Sequence, residues 1–322
     1  MKATAPIQKL REVFGDALQE NAVLANYTTA HVGGPADALL PVHTAEELEH
    51  AARTLWDLGV PFVILGSGSN LLVADSGYRG VVVINRARNV KIDLHHEPPT
   101  VWAESGANIG ALARQAALRG LSGLEWAATV PGTLGGAVFG HAGAHNGDMA
   151  ANLVLAEILH PISGKEGWSV DRMQYAYRSS ALKRLPAEQR PVILTARLQL
   201  QHGNPAEIQA RMEQFSARRR STQPPGASMG SMFKNPAGDY AGRLIEAVGL
   251  KSKRVGGAQI SPAHANFFVN DEKATAADIG ALIALARRTV FEKLGVRLDL
   301  EVELLGDWPA LTGQDDDLGS SE

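Results

Sequence analysis

Between Gly230 and Pro236 the chain reads Gly-Ser-Met-Phe-Lys-Asn-Pro. Seven positions hold a hydroxyl (Ser231), an ammonium (Lys234) and an amide (Asn235). Spacing alone leaves two readings open: an ordinary polar turn, or a proton donor placed beside groups that hold an anion. A positioned general acid contributes about 10²–10⁴-fold in rate, and its geometry counts before its acidity. His141 and His145 sit four apart, the spacing of a helical metal pair. They flank Ala142-Gly143-Ala144 and precede Asn146-Gly147, a sequence that does not favour a helix, and no carboxylate completes a convincing ligand set, although Asp148 is near. No metal site is expected. His95 and His96 fall in a turn and read as solvated.

Two glycine-rich segments bear on what such a donor would face. "GSGSN", Gly66 to Asn70, follows an apolar strand, and consecutive N–H groups freed of side chains can wrap a pyrophosphate. It is not a dinucleotide fingerprint, because the third glycine is missing and the following residues read as strand. Nor is it a P-loop, since no Gly-Lys-Ser/Thr follows. Alone, it reads equally well as a tight turn between strands. The second segment, 130–147, carries Gly132, Gly135, Gly136, Gly140, Gly143 and Gly147. A stretch so poor in bulk fills a core badly by itself. Such a run lets backbone approach something flat or anionic, and two such segments in one chain favour a bound cofactor.

The elements that must position these residues follow from capping and periodicity. Thr44 to Glu47 forms a capping box for a helix to about Leu58. Residues 60–65, 80–85, 100–105, 153–161 and 192–200 read as strands. Asn108 caps a helix ending near Gly120. Asn204 with Pro205 opens a helix whose inner face is Ile208, Met212 and Phe215, and this helix reads as the start of a new domain. Residues 241–249 and 275–294 read as helices. Residues 298–306 read as a strand with Leu298, Leu300, Val302 and Leu304 on one face and Asp299, Glu301 and Glu303 on the other. The segment 95–100 is a turn-rich break and a possible domain boundary. Near the N-terminus, Leu10, Val13, Phe14, Ala17 and Leu18 form one stripe of an amphipathic helix.

Bulk numbers set limits. The chain has 322 residues, 45% hydrophobic and 20% charged, with net charge −3 and no cysteine. That is enough for two or three domains. The charge argues against a nucleic-acid binder relying on a strong positive field. Disulfides, thiolate zinc sites, iron–sulfur clusters and a cysteine nucleophile are excluded, so redox chemistry would fall to an organic cofactor. The N-terminus lacks a signal-peptide core and no apolar run approaches a membrane span. A cytoplasmic location is expected.

Six stretches occur together and in order: "ILGSGSNLLVAD" (64–75), "GLEWAATVPGTLGGAV" (123–138), "YAYRSS" (175–180), "GSMFKNP" (230–236), "AHANFFVN" (263–270) and "LEVELLG" (300–306). In this order they resemble the UDP-N-acetylenolpyruvoylglucosamine reductases, over about residues 21–308. The direct run from Arg178 to Asn204 is similar to the shorter, type II branch. The resemblance implies an α+β fold: a PCMH/VAO-type FAD-binding module of two subdomains plus a C-terminal α+β substrate-binding domain. The implied boundaries are an N-terminal helix at 1–20, FAD-binding subdomains at 21–95 and 96–203, the substrate domain at 204–308, and a disordered acidic tail at 309–322.

The same resemblance implies NADPH-dependent, FAD-mediated reduction of UDP-N-acetylglucosamine enolpyruvate to UDP-N-acetylmuramate, a step in peptidoglycan precursor synthesis. FAD would be non-covalent, with Gly66, Ser67, Gly68, Ser69 and Asn70 at its pyrophosphate and Pro131, Gly132, Thr133, Gly135 and Gly136 along the flavin. Arg178 would hold the substrate carboxylate and Glu301, protonated through a raised pKa, would polarise it. Ser231 would donate the proton. Tyr175, Lys234 and Asn235 would bind substrate, and Arg218, Arg219 and Arg220 are a further possible contact for the UDP group. No membrane, nucleic-acid or obligate protein partner is implied. His141, Arg243 and Glu303 depart from the family pattern, which usually has asparagine, tryptophan and arginine there. Two other readings stay open: a flavin oxidase on the same scaffold, and a nucleotide-binding module without catalysis.

Overall fold

The computed structural model describes residues 6–312. Ala36–Val42, Tyr78–Asn85 and Phe62–Leu65 pair in parallel, with Gln19–Glu20 antiparallel at the edge. The helix Ala45–Asp57 covers this sheet and buries Leu48, Ala51, Ala52 and Leu55. Thr44 accepts from the Glu47 N–H, and the Glu47 carboxylate accepts from the His43 N–H. Side chains thus satisfy N–H groups that the first turn would otherwise leave open.

A second sheet is wholly antiparallel, in the order Gly164–Ser169, Leu153–His160, Val192–Gln199, Thr100–Glu104, Val90–Asp93. The turn at residues 95–100 joins two neighbouring strands of this sheet, so the possible domain boundary there is corrected: the break between sheets lies before Val90. The third unit pairs Ala227–Ser231, Phe267–Asn270, Ala258–Ile260 and Arg254–Val255 under the helices Ala241–Ala247 and Ala276–Leu294. Its core holds Phe233, Phe268, Ile245, Ile279, Leu282 and Ile283, all fully buried.

Other expectations also change. The helix Pro205–Thr222 does not open the third unit. Its Ile208 and Met212 pack on Ala117 of the second, and its Arg211 pairs with Glu125. At the N-terminus only Leu10 of the expected stripe is fully buried. Phe14 and Leu18 are partly covered and Val13 is 48% exposed, while Gln19–Glu20 belongs to the first sheet rather than to a separate helical segment. Pro309–Thr312 is a short helix with Leu311 buried, which shortens the expected disordered tail. The remainder of that tail lies outside the described residues. Among the described residues no helix is long and apolar enough to cross a membrane.

The expected strand 298–306 is split. Leu300 bridges antiparallel to Phe233, and only Glu303–Leu305 is a regular strand, parallel to Leu71–Val73 of the first unit. Alternation survives along the segment while its partner changes midway. Asn266 locks the other side of this junction. Its Oδ1 accepts from the Phe233 N–H at 2.9 Å, its Nδ2 donates to the Phe233 carbonyl at 2.8 Å, and its own carbonyl accepts from the Met232 N–H. Asn266 is 2% exposed, so water cannot replace these bonds. Asn266→Ala should therefore lower unfolding stability by about 2–4 kcal/mol, two buried main-chain groups losing their partners. Denaturant titration of the variant measures this, and a loss below about 0.5 kcal/mol contradicts the account.

Candidate active site

Gly66–Asn70 links Phe62–Leu65 to Leu71–Val73. No N–H of these five residues donates to another described residue. Consecutive unpaired N–H groups form a concave cradle for an anion. Gly68 has φ +62°, and a Cβ there would meet the Tyr27 carbonyl at 2.1 Å. A Cβ on Gly66 would lie 2.5 Å from Thr133 Oγ1. The two glycine-rich segments that the sequence suggested as one site are therefore in contact, which only glycine permits. Ser69 Oγ adds a hydrogen bond to the Pro131 carbonyl.

Beside them opens a cavity of about 540 Å³, lined by Gly66, Ser67, Thr133 and Asn108, and by Arg86 and Arg88. The five-membered N–H cradle, the two cations and the cavity suit a cofactor carrying a diphosphate. Arg86 and Arg88 were missed at the sequence level, although "NRARN" directly follows an apolar strand. Thr133 caps the helix Leu134–Gly140, accepting from the Gly136 N–H, and the Gly135 N–H goes to the Ser105 carbonyl. Those two N–H groups are occupied within the protein.

Arg178 and Glu301, 123 residues apart, meet: Arg178 Nε donates to Glu301 Oε1 at 3.0 Å. Arg178 Nη1 and Nη2 donate to the His141 and Gly143 carbonyls at 3.2 and 2.7 Å. Three of the five guanidinium N–H groups are thus engaged, and two remain for an incoming carboxylate. Arg178 has φ +54° at the tip of a tight turn closed by Ala176 and Ser179. A non-glycine residue in that conformation is strained, and such strain concentrates at functional sites. Burial pushes the Glu301 carboxyl above the usual carboxylate range, against the pull of Arg178, Lys183 and Lys234.

The Glu301 N–H donates to the Met232 carbonyl at 2.9 Å and the Lys234 N–H to the Asp299 carbonyl at 2.8 Å. Ser231 and Lys234 therefore run alongside Glu301. Ser231 ends the strand Ala227–Ser231, after an irregularity in pairing that Gly230 permits with φ +80°. Its hydroxyl takes no partner among the described residues. Asn70 ties this group to the cradle: its Nδ2 donates to the Glu301 carbonyl at 3.1 Å and its carbonyl accepts from the Glu303 N–H at 3.0 Å.

Other expected contacts are committed elsewhere. The Tyr175 hydroxyl donates to the Val138 carbonyl, its acidity lowered by burial, and its ring stacks on His141. Asn235 Oδ1 accepts from the Ala241 N–H at the start of a helix, and its NH₂ has no partner among the described residues. Arg219 donates to the Thr129 carbonyl. Of the departures, Glu303 pairs with Lys183 at 2.7 Å and Arg190 at 3.7 Å, and Arg243 pairs with Asp239. His141 and His145 both have left-handed backbone and do not share a helical face.

Two family models match. The FAD binding domain covers residues 36–162, and the UDP-N-acetylenolpyruvoylglucosamine reductase C-terminal domain covers residues 222–305. The second begins at the last residue of the helix Pro205–Thr222, in line with that helix packing on the second unit. A relative named UDP-N-acetylenolpyruvoylglucosamine reductase from Chloroflexus aggregans is 42% identical over 297 residues, 92% of this chain and 100% of that protein. One of the same name from Bacillus velezensis is 39% identical over 302 residues, 93% of this chain and 98% of that protein. The crystal structure of the Thermus caldophilus reductase (MurB) superposes with TM-score 0.75 at 37% identity, covering 88% of this chain and 98% of that one. With relatives matched end to end and the reductase-specific C-terminal domain present, this chain belongs to the UDP-N-acetylenolpyruvoylglucosamine reductase family, whose members are FAD-dependent oxidoreductases.

Proposed function

We propose that the protein reduces UDP-N-acetylglucosamine enolpyruvate to UDP-N-acetylmuramate at the expense of NADPH. The observation that carries this is the meeting of Arg178 and Glu301 beside the main chain of Met232, the residue after Ser231, on a segment tied to the N–H cradle by Asn70. The two guanidinium N–H groups left on Arg178 fit the planar carboxylate of an enolpyruvyl ether. A flavin oxidase acting on another substrate has no need of the reductase C-terminal domain that this chain carries.

Gly66–Asn70 and the Val130–Gly136 segment would hold FAD, which would supply to the enolpyruvyl methylene carbon a hydride drawn from NADPH. Negative charge then develops on the adjacent carbon and spreads into the carboxylate. Arg178 meets that charge in place, without reorganisation. Glu301, whose carboxyl burial pushes toward the neutral form, accepts from Arg178 through Oε1 and in that neutral form donates its own hydrogen bond toward the charge. Ser231 gives its proton to the carbon, completing the lactyl ether, and recovers one from solvent. Lys234, whose charge already acts on Glu301, steadies the carboxylate or diphosphate.

Purified protein should consume NADPH only when the enolpyruvyl UDP-sugar is present. NADPH consumption independent of that substrate, with rapid peroxide production from an alcohol, would support the oxidase instead. In Ser231→Ala, NADPH should reduce the flavin at near-normal rate while reoxidation by the enolpyruvyl substrate falls about 10²–10⁴-fold. Stopped-flow absorbance separates the two steps, and survival of both removes Ser231 as donor. For Glu301 the protonated form is the working one and its pKa is raised. Reoxidation should hold at low pH and decline as pH rises through that raised value. Glu301→Gln should lose less activity than Glu301→Ala and flatten the decline, because an amide donates at every pH. A profile unchanged by the amide would assign the limb to another group.

A further inference from the structure

We infer that His141 is a positioning residue for Arg178, acting through its ring Nδ1 on the turn that presents the guanidinium. The inference rests on the reading that Arg178 grips the substrate carboxylate. His141 ends the helix Leu134–Gly140 with φ +51°, a conformation that costs a non-glycine residue energy. That conformation turns the His141 and Gly143 carbonyls onto Arg178 Nη1 and Nη2. In return, the His141 ring crosses to the arginine's own turn, where Nδ1 lies 2.7 Å from the Ala176 carbonyl. A carbonyl cannot donate, so Nδ1 carries the hydrogen. Ala176 is the residue that closes the turn, its carbonyl also accepting from the Ser179 N–H. Each turn thus holds the other's polar groups, and both contain a left-handed non-glycine residue that would relax if released.

The surrounding contacts leave the ring little freedom. It stacks on Tyr175 with centroids 4.4 Å apart and 14° between planes, and the Tyr175 hydroxyl is bonded to Val138. Ser180 Oγ donates to the Phe139 carbonyl on the same helix. Nε2 is buried without a hydrogen-bond partner among the described residues, 3.6 Å from Asp148 Oδ2. The ring's one hydrogen bond among the described residues is therefore the Nδ1 contact. This makes a discriminating substitution possible. Asparagine places an amide N–H near the position of Nδ1, glutamine reaches one bond too far, and alanine has no donor.

The holoenzyme variants His141→Ala, His141→Asn and His141→Gln are compared in single turnover, after flavin content per chain is measured. His141→Ala should slow reoxidation at saturating enolpyruvyl substrate about 10–10²-fold, the scale expected of a misplaced binding group. Flavin reduction by NADPH should stay within about threefold, since the preparatory half-reaction does not use the carboxylate grip. Substrate affinity, read without turnover as perturbation of the flavin absorption band, should weaken in parallel. His141→Asn should recover most of both losses. If His141→Ala does not retain flavin, His141→Gln takes its place with the same expectations. Reoxidation unchanged in the donor-less variant, asparagine no better than alanine or glutamine, or equal losses in both half-reactions would each overturn the inference. Arg178→Ala serves as reference: if it reoxidises normally, the reading of Arg178 fails, whereas a collapsed Arg178→Ala beside a normal His141→Ala removes only the role of His141.

Discussion

A carboxyl taken out of water beside a guanidinium is the constraint around which this molecule is organised. Desolvation pushes Glu301 toward its neutral form, and Arg178 pulls the other way. A buried pairing of this kind gains little unless its other hydrogen-bonding groups are satisfied in fixed geometry. Here each partner is fixed by main chain. Arg178 rests on the carbonyls of His141 and Gly143, and Glu301 is fastened by its own N–H to Met232 and by its carbonyl to Asn70. The pair is placed by backbone from all three units of the chain. That precision suits a site in which charge must be met as it forms.

The glycines divide into two kinds by cause. Gly66 and Gly68 are required because other parts of the protein come too close for a Cβ. Gly230 has open space around it and is required by its positive φ, which lets the strand end so that Ser231 follows an irregular step. Both kinds serve the same outcome, a run of main chain free of side chains next to groups that bind anions.

Much of the scaffold was legible where side chains settle main-chain accounts locally. Thr44, Asn108 and Asn204 each accept from an N–H within three residues, as their positions foretold. The strands Val90–Asp93 and Gly164–Ser169 were not, because they lie at the edges of the second sheet, half in solvent; the first alternates over only four residues and the second carries two glycines and a single large apolar residue, Trp168. Arg178, Ser231 and Glu301 could be chosen only from the ordered motifs, since nothing in spacing relates residues 123 positions apart. The work of Asn70 and Asn266 was invisible for another reason: each bonds to backbone groups, which every residue type carries. The helix Pro205–Thr222 was located correctly by its cap and misassigned by domain, because an amphipathic face says that something is covered without saying what.

The parallel pairing of Glu303–Leu305 with Leu71–Val73 has a consequence for how the protein is made. The ribosome releases the cradle at Gly66–Asn70 and the Arg178 turn long before it releases residue 301. During that interval the nascent chain can assemble its first two sheets and expose an arginine with no carboxyl beside it. The pair forms only when Glu303–Leu305 threads back to Leu71–Val73. The meeting of arginine and carboxyl is in this sense a late event in synthesis, built into the order of the strands.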